Sequence, residues 1–252
     1  MKIVKTLKTR GLQFIIDKIV MRLYYRKKYI NYFQGKSGLE IGGPSNIFKN
    51  NGDVPIYKVI KQLDGCNYSN TTLWEGTIVP NDENNFYVLK DGKQYISEAS
   101  LLKFAPNSVY DFIITSHTLE HLANPIKAIK EWLRVIKDDG YLLIIVPKKE
   151  YCFDFYRKVT EFKHLINDFE TDIDENDLSH LNEFIESYKL YNKGTFPYDF
   201  KESLNINNKL RIIHHHVFDN SLFQEIIKYF NLKSILATSL TDHIILCQKH
   251  KT

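Results

Sequence analysis

Seven of the nine histidines fall between positions 117 and 216: His117, His121, His164, His180, His214, His215 and His216. Three are consecutive, in RIIHHHVFD, and two flank Glu120 in SHTLEH. Imidazole titrates near neutrality, so one of these rings could act as a general base and take a proton from a hydroxyl. His117, His121, His214, His215 and His216 are the candidates for that role. Two or three histidines with a carboxylate could instead hold a divalent ion, which would lower the pKa of an oxygen bound to it. His117, Glu120, His214 and His216 form that candidate set, with Fe, Mn or Mg as the ion. The rings could also hydrogen-bond to one another and shape a polar pocket. The spacing matches none of the specific zinc signatures, so all three readings stand. In an extended run, His214 and His216 face one way and His215 the other.

The elements that must position these groups are readable between Asp111 and Pro147. Asp111 to Thr115 is an apolar run of strand length. Asn124 can cap a helix and Pro125 suits its first position. Ile126, Ile129, Leu133 and Ile136 recur at helical spacing. Gly140 is expected to end that helix. Tyr141 to Val146 is apolar without alternation, as in a strand covered on both faces. This is half of a doubly wound α/β sheet, in which ligands sit at the carboxyl ends of the strands. Ser116, His117, Glu120 and His121 are therefore placed at a candidate active site.

Upstream, GLEIGGPS at residues 38–45 has a strand ending in Glu40 followed by Gly42 and Gly43. Glycines there let the backbone approach a ligand. Together with SHTLEH, this segment resembles the class I S-adenosylmethionine (SAM) dependent methyltransferases. The resemblance implies a Rossmann-like sheet, mostly parallel with an antiparallel last strand, and SAM as cofactor. It places Glu40, Gly42, Gly43, Asp64, Glu98, Ala99, Ser116 and His117 around SAM. Asp64, expected just beyond a second strand at 56–60, would accept from the ribose hydroxyls. Glu98 and Ala99, after a third strand at 94–97, would border the adenine. Lys233 to Thr238 and His243 to Gln248 would close the sheet around a short reversal at 239–242. The preceding helix, at about 221–230, would be capped by Asp219 or Asn220.

The segments at about 66–92 and 150–210 exceed the minimal fold. The second carries helical patterns at 160–169 and 177–191 and is expected to form a lid over the carboxyl edge. Asp154, Arg157, Thr160, His164, Asp177 and His180 would position the acceptor there, with Arg157 available to a phosphate. EIGGPS, DGCNYS, WEG, SHTLEHLANP, DLSHL and HHHVFD together resemble bacterial methyltransferases of cell-surface polysaccharide assembly, over residues 37–247. That resemblance implies O-methylation of a sugar hydroxyl, on a nucleotide-activated sugar or on a glycan of capsule or lipopolysaccharide. An RNA or protein methyltransferase, and a non-catalytic SAM-binding scaffold of a glycan-assembly complex, are the alternatives.

Length and an apolar fraction of 43% fit one enlarged domain at 37–252 behind an N-terminal helix at 1–36. Residues 1–36 carry a charge of +9, against +4 for the whole chain. Ile15, Ile16, Ile19, Val20 and Leu23 form an apolar stripe beside Lys18, Arg22 and Arg26. The helix is expected to dock by that stripe with a solvated basic face, or to meet an anionic membrane surface. No nucleic-acid module is recognisable. Cys66, Cys152 and Cys247 are odd in number and widely spaced, suggesting reduced thiols. No apolar run is long enough to span a bilayer and no secretion signal is evident. The chain reads as cytoplasmic, or peripheral at the inner membrane.

Overall fold

The computed structural model describes residues 2–72, 76–77, 91–192 and 207–251. Seven strands form its main sheet: β1 (Ser37–Ile41), β2 (Gln62–Asn67), β5 (Gln94–Ile96), β6 (Tyr110–Ser116), β7 (Ile136–Pro147), β8 (Lys233–Ser239) and β9 (Asp242–Gln248). A two-stranded ribbon pairs β3 (Thr71–Thr72) with β4 (Gly76–Thr77). The strand order is β5-β2-β1-β6-β7-β9-β8. Every pair from β5 to β7 is parallel, while β9 is antiparallel to both β7 and β8. This is the Rossmann-like methyltransferase sheet expected from the sequence. Its order reverses between β1 and β6, where a crevice opens at the carboxyl ends of the strands.

Both faces of the sheet are covered, which explains the apolar, non-alternating strands. Phe112 and Ile114 face one layer, with Leu143 and Ile145. Ile113 faces the other, with Leu142 and Ile144. The first layer is built by the N-terminal segment: α1 (Lys2–Val20, kinked at Gly11), a π-turn at Met21–Tyr25, and α2 (Arg26–Ile30). Here the docking face differs from the expected stripe. Phe14, Met21, Tyr29 and Phe33 are buried, whereas Ile16, Ile19 and Leu23 are exposed. The Tyr29 hydroxyl decides the register, bonding the Thr238 hydroxyl and the Ile244 carbonyl at 2.9 and 3.0 Å. Lys18 and Arg22 pair with the buried Asp53, so part of the basic face is tied to the domain.

The second layer is α3 (Pro125–Val135) and α7 (Asn220–Tyr229), capped by Asn124 and Asp219 respectively, whose side chains accept from Lys127 N and Leu222 N. α4 (Phe162–Glu170) packs beside them, followed by α5 (Leu181–Tyr191) and the short α6 (Asn207–Leu210). Two local expectations are corrected. Residues 56–58 form a 3-10 turn, and the second strand starts at Gln62. Gly140 does not end α3: the helix stops at Val135, Ile136 already pairs with Tyr110, and Asp139 takes the positive φ in the turn. Gly140 sits inside β7, where a Cβ would stand 2.8 Å from the Asp111 carbonyl oxygen. The expected insertion at 66–92 and the Trp74 motif lie mostly outside the described residues. Among those residues, no helix is long and apolar enough to cross a membrane, and all three cysteines are free.

Trp132 links this core to the crevice. It is fully buried, and its indole N–H donates to the Ala99 carbonyl at 2.8 Å. Trp132→Phe removes that donor and strands the carbonyl, which should lower stability by about 1–3 kcal/mol. Chemical denaturation measures the loss, and calorimetry should show weaker SAM binding through the loosened Ala99.

Candidate active site

The crevice begins with a backbone requirement. Gly42 follows β1 with φ of 77°, a conformation open to glycine and strained for other residues. A Cβ there would stand 2.2 Å from Thr118 Oγ1. That hydroxyl lies 3.3 Å from the carbonyls of both Ile41 and Ser116, tying the end of β1 to the end of β6. Gly42 therefore allows the close approach of Thr118 while itself lining the cleft. Ser97, Glu98 and Ala99 come from the end of β5, and His117 and His121 from the end of β6; all line the same cleft. Such a cradle, with small and polar walls, fits SAM.

Other expected cofactor residues have different tasks. Glu40 is fully buried; its carboxylate accepts from Ser45 N at 2.9 Å and from the Tyr57 hydroxyl at 2.5 Å. It shapes the glycine loop from behind. Gly43 lends its carbonyl to the Asn67 amide at 2.7 Å. Ser116 is buried at the end of β6 and does not line the cleft. Asp64 is corrected outright: it lies in mid-strand, accepting from Lys93 N and the Tyr110 hydroxyl. Because β2 starts six residues later than expected, with Gln62 in place of Ile56, Asn67 and Tyr68 reach the carboxyl edge instead. Both line the cleft.

The histidines separate into three environments. His117 is half-exposed, has φ of 53°, and places Nε2 3.1 Å from the Asp242 carboxylate. Burial would raise the Asp242 pKa, but the hydrogen bond and charge of His117, the Thr241 hydroxyl and the charge of Lys18 together outweigh it, and the pKa falls below its ordinary value. Asp242 thus remains an acceptor that orients the ring.

His121 is buried at the inner wall of the cleft, with Nδ1 3.1 Å from the Ile213 carbonyl. Burial, with His214 alongside, holds its pKa well below the usual imidazole value. It is neutral at pH 7, with Nδ1–H donated to the carbonyl. His214 packs edge-on against it, ring centroids 4.5 Å apart, and holds the Asp154 carboxylate through Nδ1 at 2.5 Å. Burial pushes Asp154 up, yet His214 and Arg157 prevail and hold it at about 2. Glu120 is buried beside them. Neither carboxylate oxygen has a hydrogen-bond donor among the described residues, and burial raises its pKa.

His216 belongs elsewhere. It joins His164 and His180 in a separate group, while Glu120, His121 and His214 form another. The expected metal set of His117, Glu120, His214 and His216 is therefore divided, because the run 214–216 is irregular and not a flat strand. His215 is buried, with Nε2 3.2 Å from the Asn207 amide. Neither His215 nor His216 lines the cleft.

The expected acceptor-positioning residues form the wall behind it. Arg157 is buried and binds Asp154, Glu183 and the carbonyls of His214 and His215. The Thr160 hydroxyl accepts from Val217 N, and Asp177 accepts from Ser179. The arginine in the cleft is Arg211, which the sequence reading passed over. It reaches Glu98 at 2.6 Å and lies over the Tyr68 ring, 5.3 Å from its centroid. Asp242 was also missed, since it reads as a turn residue. Arg211 carries no local signal beyond preceding the histidine run.

A sequence model described as a methyltransferase domain matches residues 22–234. No curated protein sequence matches. Among solved structures, a SAM dependent methyltransferase from Aquifex aeolicus is 15% identical, covering 97% of this chain and 97% of its own, with a TM-score of 0.47. A SAM-dependent methyltransferase from Methanosarcina mazei is 16% identical, covering 91% of this chain and 99% of its own, with a TM-score of 0.49.

Two measurements test this geometry. Gly42→Ala should weaken SAM binding at least about tenfold by calorimetry, because both the φ and the Thr118 contact oppose a side chain. His121 has a folded-state pKa below its unfolded one, so its stabilising contribution is complete above about pH 6.5 and lost as pH falls from there. His121→Gln should remove up to about 1.4 kcal/mol of stability loss per pH unit below 6.5, read as the difference between wild-type and variant denaturation midpoints.

Proposed function

Because the chain belongs to the methyltransferase-domain family, we propose that it transfers the SAM methyl group to a sugar hydroxyl, with His117 as the general base. The observation that supports this reading is the His117–Asp242 pair at the cleft. Asp242 accepts Nε2–H, which puts the basic lone pair on Nδ1, the nitrogen 3.9 Å from Glu120 Oε1, and stabilises the imidazolium formed when the hydroxyl proton arrives. SAM, when bound, supplies a methyl already made electrophilic by its sulfonium. The protein has only to align an acceptor oxygen with it and receive one proton.

His117 suits this better than the other histidines because it is reached from the cleft without unfolding the wall. Its left-handed φ puts strain at the end of β6, the kind of outlier that marks sites where a side chain must be aimed. Arg211, which pairs with Glu98 and Glu175 in this structure, is the cleft cation that would have to exchange a carboxylate for an anionic part of the acceptor, such as the diphosphate of an activated sugar. Support for a sugar comes from the likeness of the SHTLEHLANP, DLSHL and HHHVFD segments to methyltransferases of cell-surface polysaccharide assembly.

The test incubates the chain with SAM and a panel of nucleotide-linked sugars and looks by mass spectrometry for the gain of one methylene. His117→Asn should reduce kcat by about 10²–10⁴-fold with SAM affinity changed less than about threefold. A His117→Asn enzyme that retains wild-type kcat would sink the base assignment. Transfer to RNA or to protein, with none to sugars, would replace the acceptor class.

A further inference from the structure

Behind the cleft, one group of side chains holds more acceptors than protons. His180 Nδ1 lies 2.9 Å from Glu183 Oε1. A carboxylate only accepts, so His180 donates there and its Nε2 carries a lone pair. That lone pair faces His164 Nε2 at 2.9 Å. His164 also lies 3.4 Å from Asp168 Oδ2, and His216 Nε2 lies 3.6 Å from the same oxygen. Asp168 Oδ2 is buried and has no hydrogen-bond partner among the described residues, and neither has His216 Nδ1. His216 Nε2 is 3.1 Å from the Ala123 carbonyl, which accepts its proton. With the rings neutral, one proton on His164 Nε2 faces the lone pairs of both His180 Nε2 and Asp168 Oδ2. It cannot serve both His180 and Asp168. Unsatisfied buried acceptors of this kind are costly, and a carboxylate more so.

A divalent ion answers all of them. The ligand atoms of His164, His180 and His216 lie within 4.8 Å of one another. Four ligands at 2.0–2.1 Å from a tetrahedral centre would stand about 3.3 Å apart, close to the 2.9 Å from His164 Nε2 to His180 Nε2 and the 3.4 Å from His164 Nε2 to Asp168 Oδ2; His216, whose Nε2–H is held by the Ala123 carbonyl, would ligate through its unpartnered Nδ1. The surrounding bonds are those that orient metal ligands: Glu183 behind His180, the Ala123 carbonyl beside His216, and the Asn124 amide on the Asp168 carbonyl at 2.9 Å. His164 is partly exposed, which gives an ion a way in.

We propose that His164, Asp168, His180 and His216 form a structural site for one divalent transition metal, which clamps the lid onto the back of the catalytic loop. Two ligands come from α4, one from the residue preceding α5, and one from the segment before α7. None of the four lines the cleft, so the ion stays away from the acceptor oxygen and acts on stability. Three histidines and one carboxylate, all supplied by protein, match the nitrogen and oxygen donors that zinc takes in a tetrahedral site.

The test uses the full chain without an affinity tag, stripped by chelator and dialysed. Zinc is added and bound metal is counted by elemental mass spectrometry; cobalt is added in parallel and its visible spectrum recorded. The expected result is one equivalent per chain, a tetrahedral cobalt spectrum, and a melting temperature raised by several degrees over the stripped protein. His164→Gln and Asp168→Asn should each weaken zinc at least about tenfold, with folding checked by circular dichroism. Glu120→Gln, in the other histidine group, should leave zinc affinity unchanged. Stripped wild-type chain that takes up no stoichiometric zinc would overturn the site, as would a loss of zinc in Glu120→Gln alone. These readouts need neither SAM nor an acceptor, so they stand apart from the fate of the methyl-transfer reading.

Discussion

Arg157 carries a charge into a position that is 4% exposed, and the region above the sheet is organised around that fact. A buried guanidinium is tolerated only when its donors are matched and its charge is countered. Here Asp154 and Glu183 supply the counter-charge, and the carbonyls of His214 and His215 take further donors. The same carboxylates then reach past it. Asp154 holds the His214 ring, which packs on His121 at the cleft wall. Glu183 holds the His180 ring, which faces His164. One guanidinium thus fixes the orientation of two imidazole groups that do not touch the same ligand. An arginine read from sequence as a phosphate hook is more valuable here as a hub.

The reversed strand β9 has a comparable effect on the chemistry. Parallel strands finish at the carboxyl edge, so their last residues and following loops line the crevice. A strand running antiparallel to them begins there. Asp242 is the first residue of β9 and pairs with Pro147 near the end of β7. This topology brings it beside His117, which directly follows β6, although 125 positions separate them in sequence. The one strand that breaks the parallel pattern therefore delivers the carboxylate that orients the cleft's most accessible imidazole.

Much of the sheet was legible because its signals are local. Asn124-Pro125 and the spacing of Ile126, Ile129 and Leu133 define α3, although Ile136, read with them, opens β7; the apolar runs at β6, β7 and β9 have no competing interpretation. The failures share a cause as well. Residues 56–60 are as apolar as a strand, but Pro55 precedes them and they bury Ile56 and Tyr57 in a 3-10 turn. That shift moved Asp64 from the strand end to its middle and hid Asn67. In the N-terminal segment, the π-turn at Met21–Tyr25 offsets the helical phase. Before that turn the buried face runs through Phe14, Asp17 and Met21 at ordinary helical spacing, but because it carries an aspartate, a wheel read by apolarity selects Ile16, Ile19 and Leu23, which are exposed. Asp242 and Arg211 could not be found from spacing, since their significance depends on strand order and on a left-handed turn at residue 211.

The histidines show why composition alone could not apportion roles. In the sequence they are equivalent titratable groups, and any of them could be a base or a ligand. Solvation breaks that equivalence. Burial disfavours the imidazolium, so His121 stays neutral and works as a fixed hydrogen-bond partner. An imidazole that must accept and later release a proton needs contact with solvent or substrate, and a carboxylate to stabilise its charged form. His117 has both. The remaining rings, enclosed by Arg157, Asp154, Asp168 and Glu183, are held in orientations that depend on neighbours from α4 and α5. The segment that follows β7 is thus more than a cover: its carboxylates hold the buried imidazoles in place, and His117, just past β6, is left half-exposed.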